Sequence, residues 1–170
     1  MIYEPEEDSF LLAKYVKQYA RGKVLDMGCG SCVQAEAALS KTKNITAVDI
    51  NPEAVALAKK KGFTAIKSDL FENVKGKYNL IIFNPPYLPE DSEEDSESKL
   101  VTTGGKKGNE VLERFLKDAK EHLALNGNVL VIASSLTPNV DGLFAEYGYE
   151  FRLLEIKNLF FEKLFVYLLF

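Results

Sequence analysis

The chain has 170 residues, enough for one domain to bury a core without disulfides or metal. Apolar residues make up 46% and charged residues 27%, close to globular averages, which excludes an overall disordered or fibrous state. A net charge of −4 without a cluster of Lys and Arg argues against nucleic acid as substrate. No apolar run approaches the roughly 20 residues of a membrane span, and the first residues lack the basic and apolar regions of a signal peptide, so a cytoplasmic protein with no membrane anchor is expected.

A helix is expected to begin at Phe10, with Ser9 well placed as its N-cap. Residues 23–26 read as a strand, 34–40 as a short Ala-rich helix and 45–49 as the next strand. Asn51-Pro52 opens a helix that runs to Lys61 and stops at Gly62. Residues 64–67 form a third strand, and 79–83 a continuous apolar strand of the kind buried on both faces of a parallel sheet. A helix follows from about 109 to 125, then a buried strand at 127–134, a helix at 138–146, and strands at about 149–156 and 163–170 that can pair antiparallel. The segment at about 89–103 is rich in carboxylates and reads as a mobile acidic loop, either a solubilising loop or a lid that attracts a basic partner.

Strands alternating with helices predict one α/β domain over 1–170: a Rossmann-like, doubly wound, seven-stranded, mostly parallel sheet ending in an antiparallel hairpin. Ligands of such sheets sit beyond the carboxyl ends of the strands, at the switch in strand order. Asp26, Asp49, Asp69 and Asn84 all fall at such ends and together define a cleft.

Around the first turn the pattern is D-x-G-x-G, where Gly28 and Gly30 let backbone approach a ligand without Cβ obstruction. Asp26 ahead of the glycines suits a cationic ammonium better than a pyrophosphate. Asp49 can accept both hydroxyls of a ribose, a feature that dinucleotide enzymes share. Asp69 can accept a hydrogen bond from an adenine amine, with Leu70 packed on the ring. Cys29 and Cys32 form one C-x-x-C inside this turn; a half zinc site and a redox pair are the alternatives to a plain structural role, and no second Cys or His pair exists to complete a metal site. No metal is expected. His122 reads as a surface or capping residue at a helix end rather than a catalyst.

Following the fourth strand, Phe83-Asn84-Pro85-Pro86-Tyr87 resembles the N-P-P-Y motif of class I methyltransferases that methylate amino and amide nitrogens. The resemblance implies S-adenosyl-L-methionine as cofactor, with Asn84, Pro85 and Tyr87 catalytic and Asn84, Pro85, Pro86 and Tyr87 binding the substrate. An amide nitrogen is a weak nucleophile because its lone pair is delocalised, so it must be aimed and partly localised. Asn84 Oδ1 and the Pro85 carbonyl can accept its two N–H bonds, the prolines stiffen that geometry, and Tyr87 stacks on the planar group. A bare Pro-Pro turn, and a non-catalytic domain that only binds cofactor, are the competing readings; the intact motif opposes both.

The opening Tyr3-Glu4-Pro5-Glu6-Glu7-Asp8-Ser9-Phe10-Leu11-Leu12 and the stretch Gly104-Gly105-Lys106-Lys107-Gly108-Asn109-Glu110-Val111 resemble the short eukaryotic and archaeal branch of the HemK/PrmC family. That branch methylates the glutamine of the Gly-Gly-Gln motif in class 1 release factors, in translation termination. The resemblance adds Ser9 to the cofactor contacts, beside Asp26, Gly28, Gly30, Asp49, Asp69, Leu70 and Asn84. It further implies a heterodimer with a small zinc-binding activator protein, and the strand at 64–67, expected at a sheet edge, can accept a partner strand. One departure stands out: Cys32 occupies a position where many class I enzymes carry a third glycine. The alternative substrates are an adenine amino group of DNA or RNA and a protein lysine; a carboxylate-rich loop beside the site repels phosphates and favours a basic protein.

Overall fold

A computed structural model describes Ile2, residues 4–87 and residues 103–170; the expected acidic loop, apart from Thr103, lies outside them. Chain order is α1 (Glu7–Tyr19), β1 (Val24–Met27), α2 (Val33–Ala38), β2 (Ile45–Asp49), α3 (Pro52–Lys60), β3 (Thr64–Lys67), β4 (Tyr78–Phe83), α4 (Glu110–Ala119), a 3-10 turn (Lys120–His122), β5 (Leu123–Ser134), α5 (Val140–Glu146), β6 (Phe151–Asn158) and β7 (Lys163–Leu169). The sheet has seven strands in the order β3-β2-β1-β4-β5-β7-β6. β1 to β5 pair in parallel, and β7 joins β5 and β6 antiparallel, as the sequence predicts. β3 lies at one edge.

The sheet is covered on both faces, which is why its central strands are apolar throughout rather than alternating. Leu80 and Ile82 of β4 pack with α1, α2 and α3, while Ile81 and Phe83 pack with α4 and α5. The same alternation runs along β5, where Leu130 and Ile132 face the first layer and Val129 and Val131 the second. β3, covered only in part, has exposed ends and half-buried central residues.

Two expectations are corrected. The helix expected to reach 125 ends at Ala119, because Leu123 pairs with Tyr78 in the β4–β5 ladder and the chain is already extended there. Pairing in the sheet outweighs the helical preference of Leu123-Ala124-Leu125. Asn126, at φ 58°, and Gly127 make the irregularity; a Cβ on Gly127 would stand 2.8 Å from the Tyr78 carbonyl oxygen. Secondly, α1 starts at Glu7 with Glu6 as its cap position, so Ser9 lies inside the first turn and is not the N-cap.

Phe115 of α4 supports β4 from behind: it is fully buried, with its ring 4.2 Å from that of Phe83 and 5.4 Å from that of Phe71. Phe115→Ala is expected to lower the unfolding free energy by about 3–5 kcal/mol, read from urea denaturation.

Candidate active site

Among the parallel strands the order reverses between β1 and β4, which pair with Asp26 opposite Ile82 and Met27 opposite Phe83. The residues that follow, Gly28 and Asn84, therefore leave the sheet side by side. Gly28 and Gly30 adopt φ 65° and 47°, left-handed conformations that favour glycine, and nothing comes nearer than 3.7 Å to a Cβ built on Gly28. Cys32 adopts φ 71° and caps α2 in the position of the missing third glycine, with its side chain fully buried. Both cysteines are buried and form no disulfide, and the neighbouring Cys29 thiol pulls the Cys32 pKa down. Among the described residues no group of three or more His, Cys, Asp or Glu could hold a metal.

Asp26 is buried and takes the Ala35 N–H at 3.0 Å, tying β1 to the start of α2. Burial pushes its carboxyl well above the usual carboxylate range, the charges of Cys32 and Asp49 add to this, and the Ala35 N–H opposes it. Asp49 is half-buried and bridges two turns: Oδ2 accepts from Gly30 N at 2.8 Å and Oδ1 from Asn51 N at 2.8 Å. Asp69 and Leu70 border a recess of about 210 Å³ that Arg114 and His122 also line. There Asp69 Oδ2 accepts from Arg114 at 2.8 Å in an exposed pair, and Leu70 holds the unusual φ of 46°. His122 stacks on Phe71 with ring centroids 4.6 Å apart, a structural role.

On the other side of Asn84 stands α1. Asp8, buried, accepts from Asn84 Nδ2 at 3.1 Å and from Tyr87 Oη at 3.3 Å through one oxygen, Oδ2. Its other oxygen accepts from Ser9 N at 2.5 Å and Ser9 Oγ at 3.1 Å, and the Ser9 carbonyl takes the Gln34 amide at 2.9 Å. With Nδ2 committed to Asp8, the amide of Asn84 has one orientation, and its Oδ1 is buried with no hydrogen-bond partner. A buried orphan acceptor costs free energy unless a ligand satisfies it. Asp8 is the residue that motif reading missed: it lay inside the opening motif, but nothing in its neighbours signalled contact with Asn84.

The glycine-rich stretch supports the motif from behind. A Cβ on Gly104 would stand 2.7 Å from the Pro86 carbonyl oxygen and 2.3 Å from that of Gly108, so only glycine fits. Gly105 and Gly108 turn the loop at φ 109° and 92°, and the Glu110 carboxylate accepts the N–H groups of Lys107, Gly108 and Asn109 at 3.0–3.2 Å. Thr137 Oγ1 contacts the Tyr87 carbonyl at 3.4 Å from the far side. The sequence-derived residues thus form two neighbouring groups: Ser9, Asn84, Pro85, Pro86 and Tyr87 around Asp8, and Asp26, Gly28, Gly30 and Asp49 around the first turn. Asp69 and Leu70 follow β3, farther along the same edge.

A sheet in this order, with its cleft at the β1–β4 switch, is the architecture of the class I methyltransferases. The chain belongs to the methyltransferase small domain family, whose model matches residues 4–150. It is 43% identical over 145 residues to a Methanocaldococcus jannaschii protein named as a protein N5-glutamine methyltransferase, covering 80% of this chain and 74% of that one. Mouse methyltransferase HEMK2 is 31% identical over 146 residues, covering 74% of this chain and 68% of its own. Among solved structures, the E. cuniculi Mtq2–Trm112 complex, which methylates the translation termination factor eRF1, superposes with a TM-score of 0.80 at 24% identity over 99% of this chain and 97% of that chain. The Thermus thermophilus 16S rRNA N2 G1207 methyltransferase, solved with AdoMet and guanosine, shares the fold at TM-score 0.71 and 16% identity over 98% of this chain and 43% of its own.

The raised pKa of Asp26 has a definite consequence. The native state keeps the proton at pH values where the unfolded chain has lost it, so stability falls as pH rises from the ordinary carboxylate range towards the raised value. Asp26→Asn cannot titrate and is expected to lose that slope, gaining on the wild type as pH rises in urea unfolding between about pH 4 and pH 8. Parallel curves would show an ionised Asp26 in the native protein.

Proposed function

We propose that this chain transfers a methyl group from S-adenosyl-L-methionine to the side-chain amide nitrogen of the glutamine in the Gly-Gly-Gln motif of a class 1 release factor. The observation that carries this reading is the buried, unpartnered Oδ1 of Asn84, held in place by the bond from its own Nδ2 to Asp8. Relatives named as glutamine methyltransferases support it.

The site fits the cofactor: the first turn is open above Gly28 and Gly30, and a polar group stands at or just beyond the carboxyl end of each of the four neighbouring strands. Ser9, Asp26, Gly28, Gly30, Asp49, Asp69, Leu70 and Asn84 are the residues offered to it. The bound cofactor supplies a methyl group activated by a sulfonium. The protein supplies aim: Asn84 Oδ1 and the Pro85 carbonyl accept the two N–H bonds of the substrate amide, which points its nitrogen and favours positive charge developing there. Asp8 keeps Asn84 from turning over and presenting its NH₂ instead. Tyr87, fixed by Asp8 through its hydroxyl, offers a ring face to the planar amide. No strong base is needed, because positioning of two reactants contributes roughly 7–11 kcal/mol.

Among the described residues β3 is an edge strand, and this edge is where the reading puts a small zinc-binding activator protein, as an added strand. The net charge of −4 supports a basic protein over nucleic acid as substrate.

The test is transfer of labelled methyl to a purified release factor, with and without its Gly-Gly-Gln glutamine, against DNA and RNA, with the candidate partner present and absent. Labelling should vanish with the glutamine; labelling of nucleic acid instead would overturn the substrate. Asn84→Ala should lower kcat by at least about 100-fold with cofactor affinity only modestly weakened. Asp8→Ala should lower it by about tenfold or more through the loss of alignment. Unchanged turnover in Asn84→Ala would refute the mechanism.

A further inference from the structure

The hairpin of β6 and β7 ends in a turn closed by the bond from Leu159 N to the Glu162 carbonyl at 2.8 Å. Its two central residues are Phe160 and Phe161, 92% and 89% exposed, with rings in edge-to-face contact at 4.7 Å. Tight turns select Gly, Asn, Asp, Ser or Pro for backbone reasons, and two phenylalanines satisfy none of these. Paired large aromatic side chains left this open to water mark a contact surface rather than a fold requirement.

Where the turn sits is informative. Ser134 pairs with Leu164 at the carboxyl end of β5, so the turn projects from the catalytic end of the sheet. It is fastened to the loop after β5: Ser134 Oγ donates to the Glu162 carboxylate, Ser135 N to the Lys163 carbonyl at 2.8 Å, and Lys163 N to Ser135 Oγ at 3.0 Å. That loop carries Leu136, 46% exposed, and next to it Thr137, whose hydroxyl contacts the Tyr87 carbonyl at 3.4 Å. A continuous fixed path thus joins the aromatic tip to the catalytic motif.

We propose that Phe160, Phe161 and Leu136 form an apolar foot that docks on the body of the protein substrate while its glutamine enters the cleft. The inference rests on the protein-glutamine reading above. A folded substrate that delivers one side chain to Asn84 must lay its surface against the surroundings of Tyr87, and among the described residues Phe160 and Phe161 are highly exposed apolar side chains at this end of the sheet. Interfaces of this kind are enriched in aromatic side chains at their centres. Beside the tip stand the Glu162 carboxylate and the exposed Lys163, and Lys157 is paired with Glu7 at 2.8 Å.

The experiment compares wild type with the double variant Phe160→Ser/Phe161→Ser on the whole release factor, partner included where the wild-type assay uses it. KM for the release factor should rise about tenfold or more, with kcat and cofactor affinity near wild type, and Phe160→Leu/Phe161→Leu should restore most of the loss. An unchanged KM while the wild type methylates the release factor would overturn the docking surface and leave the function standing. A joint loss of kcat and cofactor affinity would show a structural role and overturn it as well. Methylation of RNA in place of protein by the wild type would overturn both readings together.

Discussion

Parallel pairing of β1 with β4 at the centre of the sheet is the constraint on which the rest of this molecule depends. It joins two segments far apart in sequence in one register, so that Gly28 and Asn84 emerge next to each other. The hydrogen bonds of the ladder make that adjacency rigid. Every other polar group in the cleft is placed relative to this pair: Asp49 by the β1–β2 register, Asp69 by the next strand out, and Asp8 by α1 packing over Leu80 and Ile82.

The proposed chemistry rests on one orientation of one amide. An asparagine side chain can present either its oxygen or its NH₂ to a ligand, and only the oxygen can receive a substrate N–H. Asp8 decides between them by accepting from Nδ2, and its burial makes that bond strong by excluding water. The same oxygen takes the Tyr87 hydroxyl, so the first and last residues of the N-P-P-Y turn are set by one carboxylate. From behind, Gly104 lets backbone reach the Pro86 carbonyl, with Glu110 gathering the N–H groups of the loop. The turn is clamped from α1, from the glycine loop and from the loop after β5.

The first turn is built differently. Asp26 and Asp49 use their carboxylates largely to close backbone: Asp26 holds the start of α2, and Asp49 links Gly30 to Asn51. The left-handed Cys32 sits where glycine would be strain-free, and its burial in the core offsets that cost.

What the sequence determined by itself is whatever depends on near neighbours. The apolar runs of β4 and β5 announced a sheet covered on both faces, Asn51-Pro52 and Gly62 bounded α3, and the two glycine-bearing turns and the N-P-P-Y motif were readable because backbone sterics act locally. The tertiary structure alone decided what depends on distant partners. It ended α4 at Ala119, because Leu123 found Tyr78 in the ladder. It moved Ser9 from the cap of α1 into its first turn. It brought Asp8 to Asn84 across 76 positions, a contact that no local pattern encodes, because a buried hydrogen bond is specified by the packing of α1 on the sheet rather than by the residues beside it.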